Sequence, residues 1–230
     1  MLGIIGAMDE EVAKIKEQMS DVKVMTKAAM DFYEGTLGGK PVVVVRSGIG
    51  KVNAAMCTQI LVDIYGVDAV INTGIAGSLN AQIDIGDIVL STDTLEHDMD
   101  AVAFGYPLGQ IPRMDTLAFK ADDKLRAIAK KVCEEVVPEV SVFEGRVVSG
   151  DQFVSDKGKK EWLVENFDGY CTEMEGAAIA HAAYLNEIPF LIIRAISDKA
   201  DDSASMDYPT FEAQAIEHSV TLLLELCKRI

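Results

Sequence analysis

Short apolar runs alternate with helical stripes along most of this chain. Residues 2–7 form an apolar run holding Gly3 and Gly6, the pattern of a buried strand. Residues 9–19 carry acids in the first turn and Val12, Ile15 and Met19 on one face, which predicts a helix. Residues 22–38 predict a ribbon of short strands, punctuated by Gly35 and Gly38-Gly39. Val42 to Val45 run consecutively within 41–46, the mark of a strand covered on both faces. A tight loop at 47–50 leads into a helix at 51–65. Buried strands follow at 69–74 and 85–92, the first closing on a loop at 74–78. Residues 98–118 show no period, and Gly105, Pro107, Gly109 and Pro112 interrupt them. A loop that long in a compact domain is a lid, a binding loop or an interface. The remainder predicts a helix at 120–136, a strand at 142–149, a helix at 156–166 and an Ala-rich helix at 175–186. A central strand at 189–196 and a long closing helix at 208–228 complete the pattern.

This alternation predicts an α/β fold: a single domain over 1–230, three-layer αβα, with a central mixed, largely parallel twisted sheet. Ligands of such sheets bind outside the carboxyl ends of the strands. The loops of interest are therefore those after Ala7, Arg46, Thr73, Ser149, Thr172 and Ile196.

Charge narrows the classes of partner. Lys and Arg total 21 against 37 Asp and Glu, a net charge of −16. Such a surface repels phosphate backbones and anionic lipid, so neither nucleic acid nor a membrane is an expected partner. Cys57, Cys133, Cys171 and Cys227 are far apart, with no CxxC pair, and read as reduced buried thiols of a cytoplasmic protein. His97, His181 and His218 lack ligand spacing, so no metal and no cofactor is expected. The first residues lack a basic stretch, and Asp9 to Glu11 end the apolar run early, which argues against a signal peptide.

The loops carry carboxylates and glycines more than cations. Glu173 and Glu175 flank Met174 where an extended segment turns into a helix, and Arg194 and Ser197-Asp198 end an apolar strand. Each has a plain structural reading. Glu11 and Glu175 in first turns compensate helix dipoles. Asp198 caps the next turn. Glu173 is the natural partner of Arg194, and Met8 and Met174 are core. A pocket rich in carboxylates also suits sugar hydroxyls or a transition state that develops positive charge, above all cleavage at an anomeric carbon by one acid and one base.

Gly3-Ile-Ile-Gly-Ala-Met-Asp-Glu-Glu11, Ser47-Gly-Ile-Gly-Lys-Val-Asn-Ala-Ala55, Asn72-Thr-Gly-x-Ala-Gly77, Ala103-Phe-Gly-Tyr106, Phe119-Lys-Ala-Asp122, Ser149-Gly-Asp-x-Phe153, Glu173-Met-Glu175 and Arg194-Ala-Ile-Ser-Asp198 occur in this order. Together they resemble the bacterial 5′-methylthioadenosine/S-adenosylhomocysteine nucleosidases of the purine nucleoside phosphorylase superfamily, nearly end to end. The resemblance implies hydrolysis of the N-glycosidic bond of those thioadenosines, and of 5′-deoxyadenosine, in methionine salvage. It implies Asp198 as general acid toward adenine N7 and Glu11 as general base for water. Glu175 would bind the ribose hydroxyls with Met174 beneath the sugar. Phe153 would stack on adenine, and backbone at Phe153 and Val154 would read its edge. Met8, Ile49 and Tyr208 would line the slot for the 5′ substituent, and Gly77, Ser197 and Arg194 complete the candidate set. Phe104 and Pro112 would reach across a homodimer interface into the partner's site. Ile75 stands where many relatives carry Ser, and Tyr208 where many carry Phe, which bears on substrate preference. Two alternatives stay open: an aminodeoxyfutalosine nucleosidase, and a phosphorolytic nucleoside phosphorylase. A further one is a module that holds adenosine without cleaving it.

Overall fold

The computed structural model describes residues 1–230, the side chain of Met206 excepted. The strand β1 (Leu2–Gly6) is buried throughout and pairs in parallel with β4 (Lys40–Arg46). The strands β2 (Ser20–Lys27) and β3 (Met30–Leu37) extend this wing antiparallel, with β2 exposed along its length as the edge. The helices α1 (Asp9–Glu17) and α2 (Lys51–Tyr65) follow β1 and β4.

The strand β5 (Ala69–Ser78) joins two parts of the sheet. Leu2 to Ile5 of β1 pair with Ala69 to Asn72. Farther along the same strand, Gly77 and Ser78 pair instead with β9 (Cys171–Glu173). Beside it β5 runs parallel to β10 (Phe190–Asp198). That strand pairs antiparallel with β6 (Ile88–Glu96), β6 pairs parallel with β8 (Val142–Ser149), and β8 with β9. The path β5–β10–β6–β8–β9 therefore returns to β5 as a ring. The short β7 (Phe119–Lys120) is added to β6.

Helices cover the sheet from two sides. One group is α2 with α5 (Gly176–Leu185); the other is α1, α3 (Asp123–Val136) and α6 (Ala204–Leu226). The largest core is aliphatic, from Ile4 and Ile5 through Val42 to Val45 to Leu191, Ile192 and Ile193. The helix α4 (Lys157–Phe167) closes a smaller one, in which Leu163 and Phe167 meet Leu79, Leu95 and Val148. All four cysteines are free and buried, as expected. Among the described residues no helix is long and apolar enough to cross a membrane.

The elements match the expected order, with instructive shifts. The stretch 74–78 is strand rather than loop, because its pairing with β10 continues through Gly77. Its glycines make room for neighbours rather than for a turn. The helix α3 starts at Asp123 because Asp122 Oδ1 accepts the amides of Lys124 and Leu125, at 2.9 and 2.8 Å. The helix α6 starts at Ala204, ahead of Tyr208, and carries Pro209 within it. In 98–118 the regular structure is a single 3-10 turn, Val102–Phe104.

Candidate active site

A cavity opens where β1 and β9 leave an unpaired stretch of β5 between them. The pairing with β1 ends at Asn72 and that with β9 begins at Gly77. On this edge the Ile75 amide has no strand partner and donates to Glu11 Oε1 at 3.3 Å. The cavity, about 370 Å³, is lined by Ala7, Met8 and Glu11 beyond β1, Ile49 beyond β4, and Ile75, Ala76 and Gly77 of β5. Thr172, Glu173, Met174 and Glu175 come from the end of β9, Ser197 and Asp198 from the end of β10, and Phe153 and Tyr208 close the sides. A small annex of about 30 Å³ adds Gln152 and Val154 beside Phe153. Strand ends thus converge on one crevice, the layout expected of an open α/β sheet.

Glu11 enters from the first turn of α1. Its Oε2 accepts the amides of Ala7 (2.6 Å) and Met8 (3.0 Å), so it caps its own helix as well as facing the cavity. The helix start favours the ionised form, yet burial outweighs it. Glu11 is 4% exposed, and its pKa lies above the ordinary value despite the Arg194 charge and three backbone donors. Gly74 permits this approach. A Cβ there would lie 2.5 Å from Glu11 Oε1 and closer still to Arg194 Nη1.

Arg194 lies beneath the cavity rather than in its lining. Its Nη2 meets Glu173 Oε2 and Asn72 Oδ1, and stands 4.0 Å from Glu175 Oε2. Glu173 also accepts from the Ser149 hydroxyl and, through Oε2, from the amides of Glu175 (3.1 Å) and Gly176 (2.7 Å). Its charge is thereby engaged by the protein. Glu175, at the N-cap of α5, accepts the Gly50 amide at 2.8 Å through Oε1. Burial and the Glu173 charge push Glu175 up to about 7, with Arg194 pulling the other way.

Asp198 faces the opposite wall. A bulge between Ile196 and Asp198 shifts the β10 register and sets Asp198 against Gly77, where a Cβ would lie 2.7 Å from Asp198 Oδ1. Its oxygens accept the Ser197 hydroxyl (2.9 Å) and the Ala200 amide (2.8 Å). Burial nonetheless raises its pKa, helped by Asp207 and Asp201. Tyr208 stands edge-on to Phe153, with ring centroids 5.8 Å apart, and its hydroxyl lies 3.4 Å from Met8 Sδ and 2.9 Å from Glu212 Oε1.

Most of the expected site residues therefore gather in one place. Phe104 and Pro112 do not: both are exposed on 98–118, Phe104 at 84%. Three supports were not legible as site residues: Ser149, Asn72 and Thr172. Ser149 and Asn72 hold Glu173 and Arg194, and Thr172 lines the cavity with its Oγ1 buried and unpartnered. For Asn72 and Ser149 the signal is a polar residue in a largely apolar stretch of strand; Thr172, in the three-residue β9, has none. Chemically, the crevice has four buried carboxylates around apolar walls, Glu173 among them already paired with the nearby guanidinium. It suits a neutral, hydroxyl-bearing ligand that acquires positive charge.

Comparison with known proteins agrees with this geometry. A family model described as the phosphorylase superfamily matches residues 1–228. The chain is 42% identical, over 231 residues and 100% of both chains, to the 5′-methylthioadenosine/S-adenosylhomocysteine nucleosidase of Staphylococcus carnosus. It is similar to the solved Neisseria meningitidis nucleosidase of that name in complex with methylthio-immucillin-A, with a TM-score of 0.96 and 38% identity over 100% and 99% of the two chains. A futalosine hydrolase mutant of Helicobacter pylori is also similar, with a TM-score of 0.94 and 33% identity over 100% and 99%.

Proposed function

This chain belongs to the phosphorylase superfamily, and we propose that it is a hydrolytic nucleosidase which cuts 5′-methylthioadenosine and S-adenosylhomocysteine to adenine and the 5-substituted ribose. The observation that carries this reading is the placement of Glu11 and Asp198 in one cavity with Glu175. Their environments suit different tasks.

Asp198 is the general acid. Burial raises its pKa, which favours the protonated form that a general acid needs. The proton goes to adenine N7 as the electron pair of the C1′–N9 bond moves onto the base, so adenine leaves neutral. Glu11 is the general base. Two amides hold its Oε2, while Oε1 has the single, longer bond from Ile75 and can accept from water. As water attacks C1′, its proton passes to Glu11. Glu175 accepts from the ribose hydroxyls and, once ionised, stabilises the oxocarbenium-like sugar.

Apolar walls assign the remaining contacts. Phe153 stacks on adenine, Met174 packs under the sugar, and Met8, Ile49 and Tyr208 receive the 5′ substituent. Val154 and Gly77 border the base, beside Ser197. Ile75 presents its amide to Glu11 and no hydroxyl to the site. The protein acts as a cytoplasmic homodimer. The exposed apolar side chains of Val52 (70% exposed) and Leu185 (65%), which line one surface cavity, support this, and Phe104 and Pro112 would complete the partner's slot.

The test is spectrophotometric release of adenine from methylthioadenosine, S-adenosylhomocysteine, 5′-deoxyadenosine and aminodeoxyfutalosine, with and without phosphate. Release without phosphate is expected. Strict dependence on phosphate would overturn hydrolysis in favour of phosphorolysis. Cleavage of aminodeoxyfutalosine alone would move the assignment to that substrate, the reading favoured by the futalosine hydrolase likeness.

A further inference from the structure

Beside the cavity lies a charged cluster for which the hydrolysis itself has no use. Lys51, the first residue of α2, places Nζ 2.7 Å from Asp98 Oδ1 and 2.9 Å from Glu96 Oε2. Asp98 Oδ2 accepts the Asp151 amide at 3.0 Å. Asp151 Oδ1 in turn accepts the Lys51 amide at 2.9 Å. The contacts run from the Lys51 side chain through Asp98 and Asp151 back to the Lys51 backbone, and so close on themselves. Burial opposes the charge of Asp98, but its bonds to Lys51 and Asp151 hold its carboxyl below the usual range.

Each arm of this clasp touches the site. Next to Lys51, the Gly50 amide donates to Glu175 Oε1. Two residues beyond Asp151 stands Phe153, a cavity wall that is 52% exposed and meets the Tyr208 ring edge-on. Gly50 lies so close that a Cβ there would sit 3.0 Å from Asp151 Oδ1. The loops 47–50 and 150–153 come from distant parts of the chain, and these bonds register them to each other.

We propose that the Lys51–Asp98–Asp151 clasp sets the distance between the carboxylate that grips the ribose and the ring that stacks on the base, with Lys51 and Asp151 as positioning residues for substrate recognition. This rests on the nucleosidase reading. Without the clasp the two loops move independently, and binding must order them, which weakens affinity for the nucleoside and for adenine together.

The experiment compares wild type with K51M, K51R, D151A and D151N. It reads kcat and KM for methylthioadenosine, the inhibition constant of adenine, and thermal stability. In K51M and D151A, KM and the adenine inhibition constant should rise in parallel, by about tenfold, the scale of a modest misplacement of a binding group, and by more than kcat falls. K51R, which can still bridge both carboxylates, should recover most of the loss. A purely structural role would lower thermal stability and leave the adenine constant unmoved. Wild-type constants in K51M and D151A, or a K51R no better than K51M, would overturn the clasp. If K51M does not fold, D151A, altered in an exposed loop, decides alone. Failure of wild type to cleave any nucleoside or to bind adenine would instead sink the reading of the cavity.

Discussion

Arg194 and Glu173 form an ion pair sealed beneath the cavity, with Arg194 only 2% exposed. The guanidinium is a counterweight for the carboxylates above it rather than a ligand for phosphate. Replacing it by Met leaves Glu173 and Glu175 buried without a cation. Arg194→Met should cost about 3–5 kcal/mol of stability, the range for breaking one side of a buried pair. Urea denaturation measures this. A loss below 1 kcal/mol would mean that the pair contributes little net energy.

Gly74 tests how tightly the base is placed. A methyl group there would collide with Glu11 Oε1 and Arg194 Nη1. Gly74→Ala should reduce adenine release by about 10²-fold, the usual penalty for displacing a catalytic group by roughly an ångström. Circular dichroism should show the sheet intact. Wild-type turnover in this variant would remove Glu11 from the mechanism.

The acid is tested by Asp198→Asn. It keeps the shape and loses the proton, so turnover should fall by about 10²-fold or more. Binding of methylthioadenosine, followed by calorimetry, should persist. Normal turnover would show that the leaving base takes its proton elsewhere.

Glu175 carries a pH signature. Its carboxyl is held up to about 7, against an ordinary value of 4.5, so between those values the native state binds its proton more tightly than the unfolded chain. Its contribution to stability is complete below about 4.5 and is lost as pH rises through 7. Glu175→Gln removes the dependence. Relative to wild type, the variant should gain stability from pH 4.5 to pH 8, on the order of 3 kcal/mol. Melting temperatures of both proteins across that range provide the measurement, and a constant gap would refute the assignment.

The sequence made the crevice legible because its carboxylates stand where apolar runs stop. Glu175 was marked by its pairing with Glu173 around Met174, while Glu11 lies past the apolar β1 and Asp198 ends the apolar β10. Arg194 was readable as a paired charge for the same reason: a cation within such a strand needs a partner. Gly74 and Gly77 misled, since glycine in a strand signals a close neighbour as readily as a turn, and the neighbour is remote in sequence. Ring closure had no signal either. It depends on β9, three residues long, in which neither a period of 2 nor one of 3.6 can show. The bond between Lys51 and Asp151 had no signal in the sequence, because the loops it unites lie 100 residues apart.

Ring closure also governs how this molecule breathes. A strand in a ring has no outer edge to fray from, so the backbone bonds between β5 and β10 open only if a neighbour lets go. The shortest seam is β9, held to β5 through Gly77 and Ser78, and Glu173 sits at its end. Amide protons of β5 and β10 should therefore exchange as one slow group whose opening takes the crevice apart. A bound nucleoside that bridges Glu175 and Asp198 would slow the exchange of strands it never touches.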